Sequence, residues 1–233
     1  MKLFKCPQDN DKIAKVMECI EYTALLVPNA TDEQIKAACD EAIRYKMGHF
    51  VPFQAYYSQV FEYLKDTDVK MVQGSSDTHS MACRYEAIKE GLDAGCCEVD
   101  ILSKLDLFFD KKYDEFQADI HQVVELAAKY NADCKLIIET GFLTDEEKIL
   151  ISRLGLEAGV VFIKTCLGMR RGRGTLHDVL LLKETFGDGI KIKATGGIAS
   201  LEDAYAMIQA GADRVAIRGL AGEQLRALGY QPT

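Results

Sequence analysis

Three ionisable residues stand near the ends of short apolar segments, where a parallel sheet would place them at one edge. Lys164 and Lys193 lie in two such segments, and Asp100 lies in a third. Charged side chains are rarely buried without a partner or a function. A lysine amine that has lost its proton attacks carbonyl carbons and forms a Schiff base, which then serves as an electron sink. The sequence therefore predicts carbonyl chemistry, with these three residues as the catalytic candidates.

This chemistry requires the two lysines to lie close together. Two ammonium groups about 5 Å apart, at an effective dielectric near 20, repel by roughly 3 kcal/mol. That energy corresponds to a fall of about two pKa units in one of them, which leaves it partly neutral near pH 7. Asp100 is a candidate for moving protons through a bound water. The simpler alternative is that each lysine forms an ion pair with Glu98, Asp100 or Glu139, but two lysines and an acid at three strand ends favour catalysis.

The elements that must position these residues alternate regularly along the chain. The predicted strands are Cys19–Leu25, Gly48–Phe53, Val69–Gln73, Cys97–Leu102, Cys134–Glu139, Val160–Thr165, Ile190–Thr195 and Asp213–Ile217. The predicted helices include Asp9–Met17, Ala55–Lys65, Thr78–Leu92, Tyr113–Tyr130, Thr175–Thr185, Leu201–Gln209 and Gly219–Leu228. Eight strand–helix units predict an α/β fold, namely a (β/α)₈ TIM barrel. Residues 1–233 are expected to form a single domain, and residues 1–17 are expected to form a short segment that covers the barrel. An open doubly wound sheet is the alternative, but no Gly-x-Gly-x-x-Gly follows the first strand.

Composition narrows the class of protein and its partners. The chain has 233 residues, a formal net charge of −8 and a pI of about 5.1, which argues against a nucleic-acid partner. No apolar run approaches the length that spans a bilayer, so we expect no membrane partner. The eight cysteines are not preceded by an apolar leader and form no Cys-x-x-Cys. Reduced thiols and a cytoplasmic location are therefore expected.

The ordered set of segments resembles the deoxyribose-phosphate aldolase family. The matching segments are Glu98-Val99-Asp100, Leu136–Gly141, Phe162-Ile163-Lys164-Thr165 and Lys193-Ala194-Thr195-Gly196-Gly197-Ile198, within a resemblance that runs from Glu21-Tyr22-Thr23 to Ala210-Gly211-Ala212. The resemblance implies a class I aldolase that needs no cofactor or metal and takes a small aldehyde and a sugar phosphate as substrates. Such enzymes split 2-deoxyribose 5-phosphate into acetaldehyde and glyceraldehyde 3-phosphate. Lys164 would form the Schiff base, Lys193 would lower its proton affinity, and Asp100 would join a proton relay with Lys193 and water.

The resemblance also suggests residues that contact the substrate and its phosphate, but the sequence departs from the family at this end. The predicted contacts are Thr23, Gly168, Gly196, Gly197, Arg218 and Gly219. Ala199 stands where the family commonly has an arginine, and Cys166 and Leu167 replace hydroxyl residues. Two explanations are open at this point. Arginines could replace the lost anion contacts by bidentate pairing, or the substrate could carry no phosphate or a different acidic group. The arginines in question are Arg218, Arg170, Arg171 and Arg173.

The positions of two further lysines are also predicted, and three functions are open as alternatives to the aldolase. Lys191 is expected in the lower layer of the barrel, where it must pair with a carboxylate such as Glu98 or leave at the bottom. Lys104 is either a third basic group near the mouth or an exposed side chain. The alternatives are a related aldolase with a different or unphosphorylated acceptor, a non-catalytic anion-binding barrel, and a sugar-phosphate isomerase or epimerase. A homodimer is compatible with a barrel of this size, although no stretch of the sequence identifies an interface.

Overall fold

The computed structural model describes residues 9–74, 81–168, 172–217, 221–227 and 230. Eight parallel strands close into a barrel in chain order, and the last strand pairs with the first. The strands are β1 (Ile20–Tyr22), β2 (His49–Phe50), β3 (Lys70–Gln73), β4 (Glu98–Leu102), β5 (Asp133–Ile137), β6 (Phe162–Lys164), β7 (Lys191–Ala194) and β8 (Arg214–Ile217). The predicted TIM barrel is therefore confirmed.

Most observed strands are shorter than the apolar segments that predicted them. In β1, three residues pair with β8 and only two of them also pair with β2. Ladder-like bonding nevertheless continues past the strand limits. The Thr23 N–H donates to the Ile217 carbonyl at 3.1 Å, and the Val51 N–H donates to the Tyr22 carbonyl at 2.8 Å. The apolar segments thus mark the walls of the barrel, and the paired strands are their central parts.

Helices cover the outside of the barrel between successive strands. They are α1 (Asn10–Glu18), α2 (Asp32–Arg44), α3 (Tyr57–Leu64), α4 (Met81–Asp93), α5 (Leu105–Phe109), α6 (Tyr113–Ala128), α7 (Asp145–Glu157), α8 (Leu176–Phe186), α9 (Leu201–Gln209) and α10 (Ala221–Ala227). Thr31 and Thr144 form the capping boxes that start α2 and α7, as their spacing to Gln34 and Glu147 predicts. The short helix α5 was not predicted, since five residues carry no helical period.

The register of the strands determines which side chains meet inside the barrel. Lys164 of β6 is opposite Lys193 of β7, and Asp100 of β4 is opposite Lys135 of β5. All four side chains are buried. Because side chains alternate along a strand, each of these residues takes the inward position. None of the helices within the described ranges combines the length and apolar character that a bilayer crossing requires.

Candidate active site

The three residues proposed for catalysis meet at one carboxylate oxygen. The Lys164 ammonium donates to Asp100 Oδ2 at 2.7 Å, and the Lys193 ammonium donates to the same atom at 2.8 Å. Lys164 is the last residue of β6, so it lies at the C-terminal end of the barrel, where TIM-barrel enzymes carry their active sites. The fold thus brings together side chains that are 64 and 93 residues apart in sequence.

Below this group, the charges continue into the barrel. Glu21 contacts the Lys193 ammonium, and its other oxygen lies 2.9 Å from the Lys135 ammonium. Lys135 also donates to Glu98. With Asp100 and Lys164 these residues form what we call the interior charge network, namely Glu21, Glu98, Asp100, Lys135, Lys164 and Lys193. It holds three carboxylates and three amines, all of them buried, and each charge faces an opposite one, as burial requires.

The network shifts the proton affinities of its members in opposite directions. Burial acts to raise the pKa of Glu21, but the Lys135 and Lys193 charges outweigh it and lower that pKa to about 2. Burial likewise opposes ionisation of Asp100, yet Lys164 and Lys193 hold its pKa well below the usual range. For Lys193, burial is the dominant influence. It lowers the pKa of that amine despite the two carboxylates beside it.

The lowered pKa of Lys193 has a chemical consequence for the pair of lysines. Lys193 gives up its proton more readily than a lysine in water does, and it shares a carboxylate oxygen with Lys164. A proton can therefore move between the two amines with little displacement of heavy atoms. This arrangement matches the requirement of general acid–base catalysis that donor and acceptor lie within hydrogen-bond reach.

Sequence reasoning assigned no role to Glu21 or Lys135. The signal available was a charged residue inside an otherwise apolar strand, in Ile20-Glu21-Tyr22 and in Cys134-Lys135-Leu136. Both side chains are completely buried, at 0% exposure. A buried charge of this kind points to a partner across the barrel, but the sequence alone does not say which strand supplies it.

Of the two alternatives for Lys191, the structure shows the exit at the bottom of the barrel and not the pairing with Glu98. Lys191 is exposed and is the first residue of β7, so its side chain leaves at the N-terminal rim. Its ammonium lies 5.4 Å from the centre of the Phe162 ring, which fills the interior position expected for the lysine. Glu98 pairs with Lys135 instead. Lys104 is half-buried, is not part of the cavity lining, and has its ammonium 2.7 Å from Asp119.

Glu139 does not pair with either mouth lysine. Its Oε1 accepts a hydrogen bond from the Leu167 N–H at 2.9 Å, so it holds the start of the loop that follows β6. Glu139 has a φ of 56°, a left-handed conformation that is uncommon outside glycine. Its buried carboxylate thus positions the loop that follows Lys164 rather than the amine of that residue.

A cavity of about 430 Å³ opens above the network at the C-terminal end of the barrel. Its polar lining comes from the network and two threonines, and an apolar wall faces them. The residues around it include Asp100, Lys164, Lys193, Thr23, Thr195, Leu167, Gly168, Gly196, Gly197 and Ile198. Four of the six residues predicted to contact substrate are among them. The other two, Arg218 and Gly219, lie outside the described residues, as do Arg170 and Arg171.

The opposite end of the barrel carries a second buried polar group. His49 Nε2 lies 3.6 Å from Glu98 and 3.4 Å from an Arg214 nitrogen. Burial lowers the pKa of His49 to about 4, so the ring is neutral at physiological pH. This group supports the lower side of the interior charge network. Within the described ranges, no set of three or more His, Cys, Asp or Glu side chains is placed to hold a metal ion.

Known deoxyribose-phosphate aldolases resemble this chain along most of its length. The deoxyribose-phosphate aldolase of Caldanaerobacter subterraneus subsp. tengcongensis is 36% identical over 210 residues, covering 88% of this chain and 90% of the relative. The deoxyribose-phosphate aldolase of Staphylococcus carnosus is 39% identical over 203 residues, covering 84% and 89%. The tetrameric deoxyribose phosphate aldolase structure from Aeropyrum pernix gives a TM-score of 0.80 at 24% identity, covering 91% of this chain and 89% of that one. No family model matches the chain.

Proposed function

The chain belongs to the deoxyribose-phosphate aldolase family, and on this basis we propose that its barrel mouth cleaves 2-deoxy-D-ribose 5-phosphate through a Schiff base on Lys164. The products are acetaldehyde and glyceraldehyde 3-phosphate. The observation that carries the assignment of Lys164 is its position, since it lines the cavity and shares the Asp100 oxygen with Lys193. The enzyme is accordingly an aldehyde-lyase.

The first stage of the reaction is condensation. The neutral Lys164 amine attacks C1 of the open-chain sugar, and the carbinolamine hydroxyl takes a proton from the Lys193 ammonium and leaves as water. The iminium ion that remains carries one positive charge. Asp100 is already 2.7 Å from this nitrogen, so the carboxylate that balanced the ammonium also balances the iminium. The proton that Lys164 gives up passes to Lys193 through the shared oxygen, because the lowered pKa of Lys193 makes its neutral form accessible.

The second stage breaks the carbon–carbon bond. Water held by Lys193 and Asp100 removes the proton of the C3 hydroxyl, the C2–C3 bond breaks, and its electron pair moves into the iminium to form an enamine. Glyceraldehyde 3-phosphate leaves with the new C3 carbonyl. The same relay returns a proton to C2, and hydrolysis of the resulting iminium releases acetaldehyde and restores Lys164.

The other end of the sugar is assigned to the loops that follow the strands. Gly168, Gly196 and Gly197 line the cavity and have φ values of 83°, 95° and 76°, conformations that glycine adopts without strain. Without side chains they leave room for a phosphate to approach the backbone. Thr23 lies on the opposite wall, where its hydroxyl donates to the Ile217 carbonyl at 2.9 Å and leaves its oxygen available to accept.

The test is release of acetaldehyde from 2-deoxyribose 5-phosphate by the purified protein. Replacement of Lys164 by methionine, which preserves length without the amine, should reduce kcat by at least about 10⁴-fold, since the covalent route is lost. Lys191→Met is the matched control, because it removes a strand lysine at the other end of the barrel and should retain full rate. An active Lys164→Met variant would contradict the assignment, and an inactive wild type would contradict the substrate.

We infer one barrel domain over residues 1–233, a homodimer and a cytoplasmic location. The cysteines in the described residues are free thiols, which supports a reducing compartment. Light scattering distinguishes a dimer, at twice the chain mass of 25.9 kDa, from a monomer or from a tetramer like that of the Aeropyrum pernix protein.

A further inference from the structure

Thr195 directly follows β7, and its main chain is held by hydrogen bonds to the neighbouring segment. Its N–H donates to the Thr165 hydroxyl at 3.0 Å, and the same hydroxyl donates to the Thr195 carbonyl at 3.0 Å. That carbonyl also accepts a hydrogen bond from the Gly174 N–H at 3.0 Å. Thr165 is completely buried. The backbone of Thr195 is therefore fixed by the end of β6 and by the loop that follows it.

The alternation of side chains along β7 directs Thr195 into the barrel mouth. Lys193 takes an inward position, Ala194 takes an outward one, and Thr195 takes the next inward one, about 7 Å farther along the strand. Lys193 and Thr195 both line the cavity. Thr195 thus lies on the same wall as Lys193, one layer nearer to the opening.

The hydroxyl of Thr195 is a buried polar group without a partner. The side chain is only 8% exposed, and its Oγ1 forms no hydrogen bond within the described residues. Such a group costs about 1–3 kcal/mol, so its presence at a cavity points to a ligand that completes it. The methyl group faces Gly168, since a Cβ built on Gly168 would lie 3.5 Å from Thr195 Cγ2. Rotation about χ1 exchanges the methyl and hydroxyl positions while the fixed backbone stays in place.

We propose that the Thr195 hydroxyl is a catalytic group that donates a hydrogen bond to the C3 oxygen of the substrate. Only C1 and C2 separate C3 from the Lys164 nitrogen, so the C3 oxygen lies in the layer above the two lysines, where Thr195 lines the cavity. The inference rests on the function proposed above. It adds a residue that acts at the carbon from which the bond breaks.

The hydrogen bond matters most while the C2–C3 bond is breaking. The relay water takes the proton of the C3 hydroxyl, the electron pair of the O–H bond forms the C3 carbonyl, and the C2–C3 pair moves into the iminium. Negative charge develops on the C3 oxygen in this step, and a donor fixed beside it lowers the barrier. Thr195 keeps its own proton throughout.

The test separates the two stages of the reaction. Exchange of the methyl protons of acetaldehyde for deuterium, followed by NMR, needs the Schiff base and the relay water but involves no C3 oxygen. Cleavage of 2-deoxyribose 5-phosphate needs both stages. For Thr195→Val, kcat for cleavage should fall about 10- to 100-fold and KM should stay within about threefold, because the lost bond is strongest in the transition state. The rate of acetaldehyde exchange should stay within about twofold of wild type.

Two variants serve as controls. Thr195→Ser restores the hydroxyl and should bring kcat back to within about threefold of wild type. Thr185→Val makes the same change at an exposed position of α8 and should leave both rates unchanged. An unchanged kcat in Thr195→Val would overturn the proposal. Equal losses of cleavage and exchange would also overturn it, because the hydroxyl would then hold the relay water or support the fold.

The design also separates this inference from the proposed substrate. A wild-type protein that exchanges acetaldehyde protons but leaves 2-deoxyribose 5-phosphate intact would refute the substrate. Self-condensation of acetaldehyde then supplies the measurement, because the carbonyl oxygen of the second acetaldehyde takes the place of the C3 oxygen. The rate of condensation should fall about 10- to 100-fold in Thr195→Val, and an unchanged rate would refute the role of Thr195.

Discussion

Replacement of Lys193 by methionine separates the electrostatic role of this residue from the nucleophile itself. Both amines bond Asp100 Oδ2, at 2.7 and 2.8 Å, so the two nitrogens lie no more than about 5.5 Å apart. At an effective dielectric near 20, two charges at that separation repel by about 3 kcal/mol or more. Without Lys193, the Lys164 ammonium shares Asp100 only with Lys135, whose ammonium lies 3.9 Å from the other carboxylate oxygen.

The consequence is a nucleophile that holds its proton more tightly. An energy of about 3 kcal/mol corresponds to a fraction of free amine about 100-fold smaller at neutral pH. The kcat/KM of Lys193→Met should therefore fall at least about 100-fold at pH 7. Its ascending pH limb should lie about two pH units above that of wild type. The assay is acetaldehyde release from 2-deoxyribose 5-phosphate between pH 6 and pH 10, with circular dichroism as the check on folding.

Lys193→Arg is the matched control, because arginine keeps the positive charge but does not release its proton. In that variant the ascending limb should stay near its wild-type position, while kcat falls by about 10²- to 10⁴-fold through loss of proton transfer. A limb for Lys193→Met within half a pH unit of wild type would refute the electrostatic reasoning, even if the variant were slow.

Three further perturbations test the structure around the site. Lys135→Met leaves the buried carboxylates of Glu21 and Glu98 without the cation that they share. The free energy of unfolding, measured by urea titration, should therefore fall by about 3–5 kcal/mol. In the control variant Lys191→Met it should change by less than about 0.5 kcal/mol. His49 is neutral when folded because its pKa is about 4 against 6.5 in the unfolded chain, so the unfolded state binds more protons between those values. The free energy of unfolding should therefore fall by about 3 kcal/mol as the pH drops from 6.5 to 4. In the His49→Gln variant it should change less over this range. Equal slopes of unfolding free energy against pH in the variant and in wild type would show that His49 is not the titrating group. Gly196→Ala places a methyl group against Cys166 at a φ of 95° and should abolish activity. Gly159→Ala is the control, because Gly159 has a φ of 100° but does not line the cavity. This control variant should lose ~1–2 kcal/mol of stability and keep its kcat.

The sequence was sufficient to predict the upper part of the site. Lys164 and Lys193 lie near the ends of two apolar segments that are consecutive along the chain. Consecutive strands of a parallel barrel are neighbours, so residues near their ends lie side by side. Asp100 could be placed on the same inner surface as Glu98 from the alternation of side chains along β4. These rules need only local periodicity and the order of the strands, both of which can be read from the chain.

The lower part of the network could not be predicted, because alternation gives the side of the sheet but not the depth in the barrel. Glu21 meets Lys135 across the closed barrel, through a register that only the complete set of strands determines. For the same reason the sequence could not decide whether Lys191 pairs with Glu98 or leaves at the bottom of the barrel. Lys191 has the inward parity of Lys193, yet β7 begins at Lys191, so its side chain reaches solvent at the rim. The helix α5 was missed because Leu105–Phe109 is too short for a periodic signal.

The proposed mechanism requires that Lys164, and no other lysine of the chain, forms the Schiff base. Incubation of the enzyme with acetaldehyde and borohydride, followed by peptide mass spectrometry, reports the modified residue directly. We expect an N-ethyl group on Lys164, absent from the Lys164→Met variant. An adduct on Lys193 instead, or an unmodified Lys164 in an enzyme that still releases acetaldehyde, would contradict this mechanism.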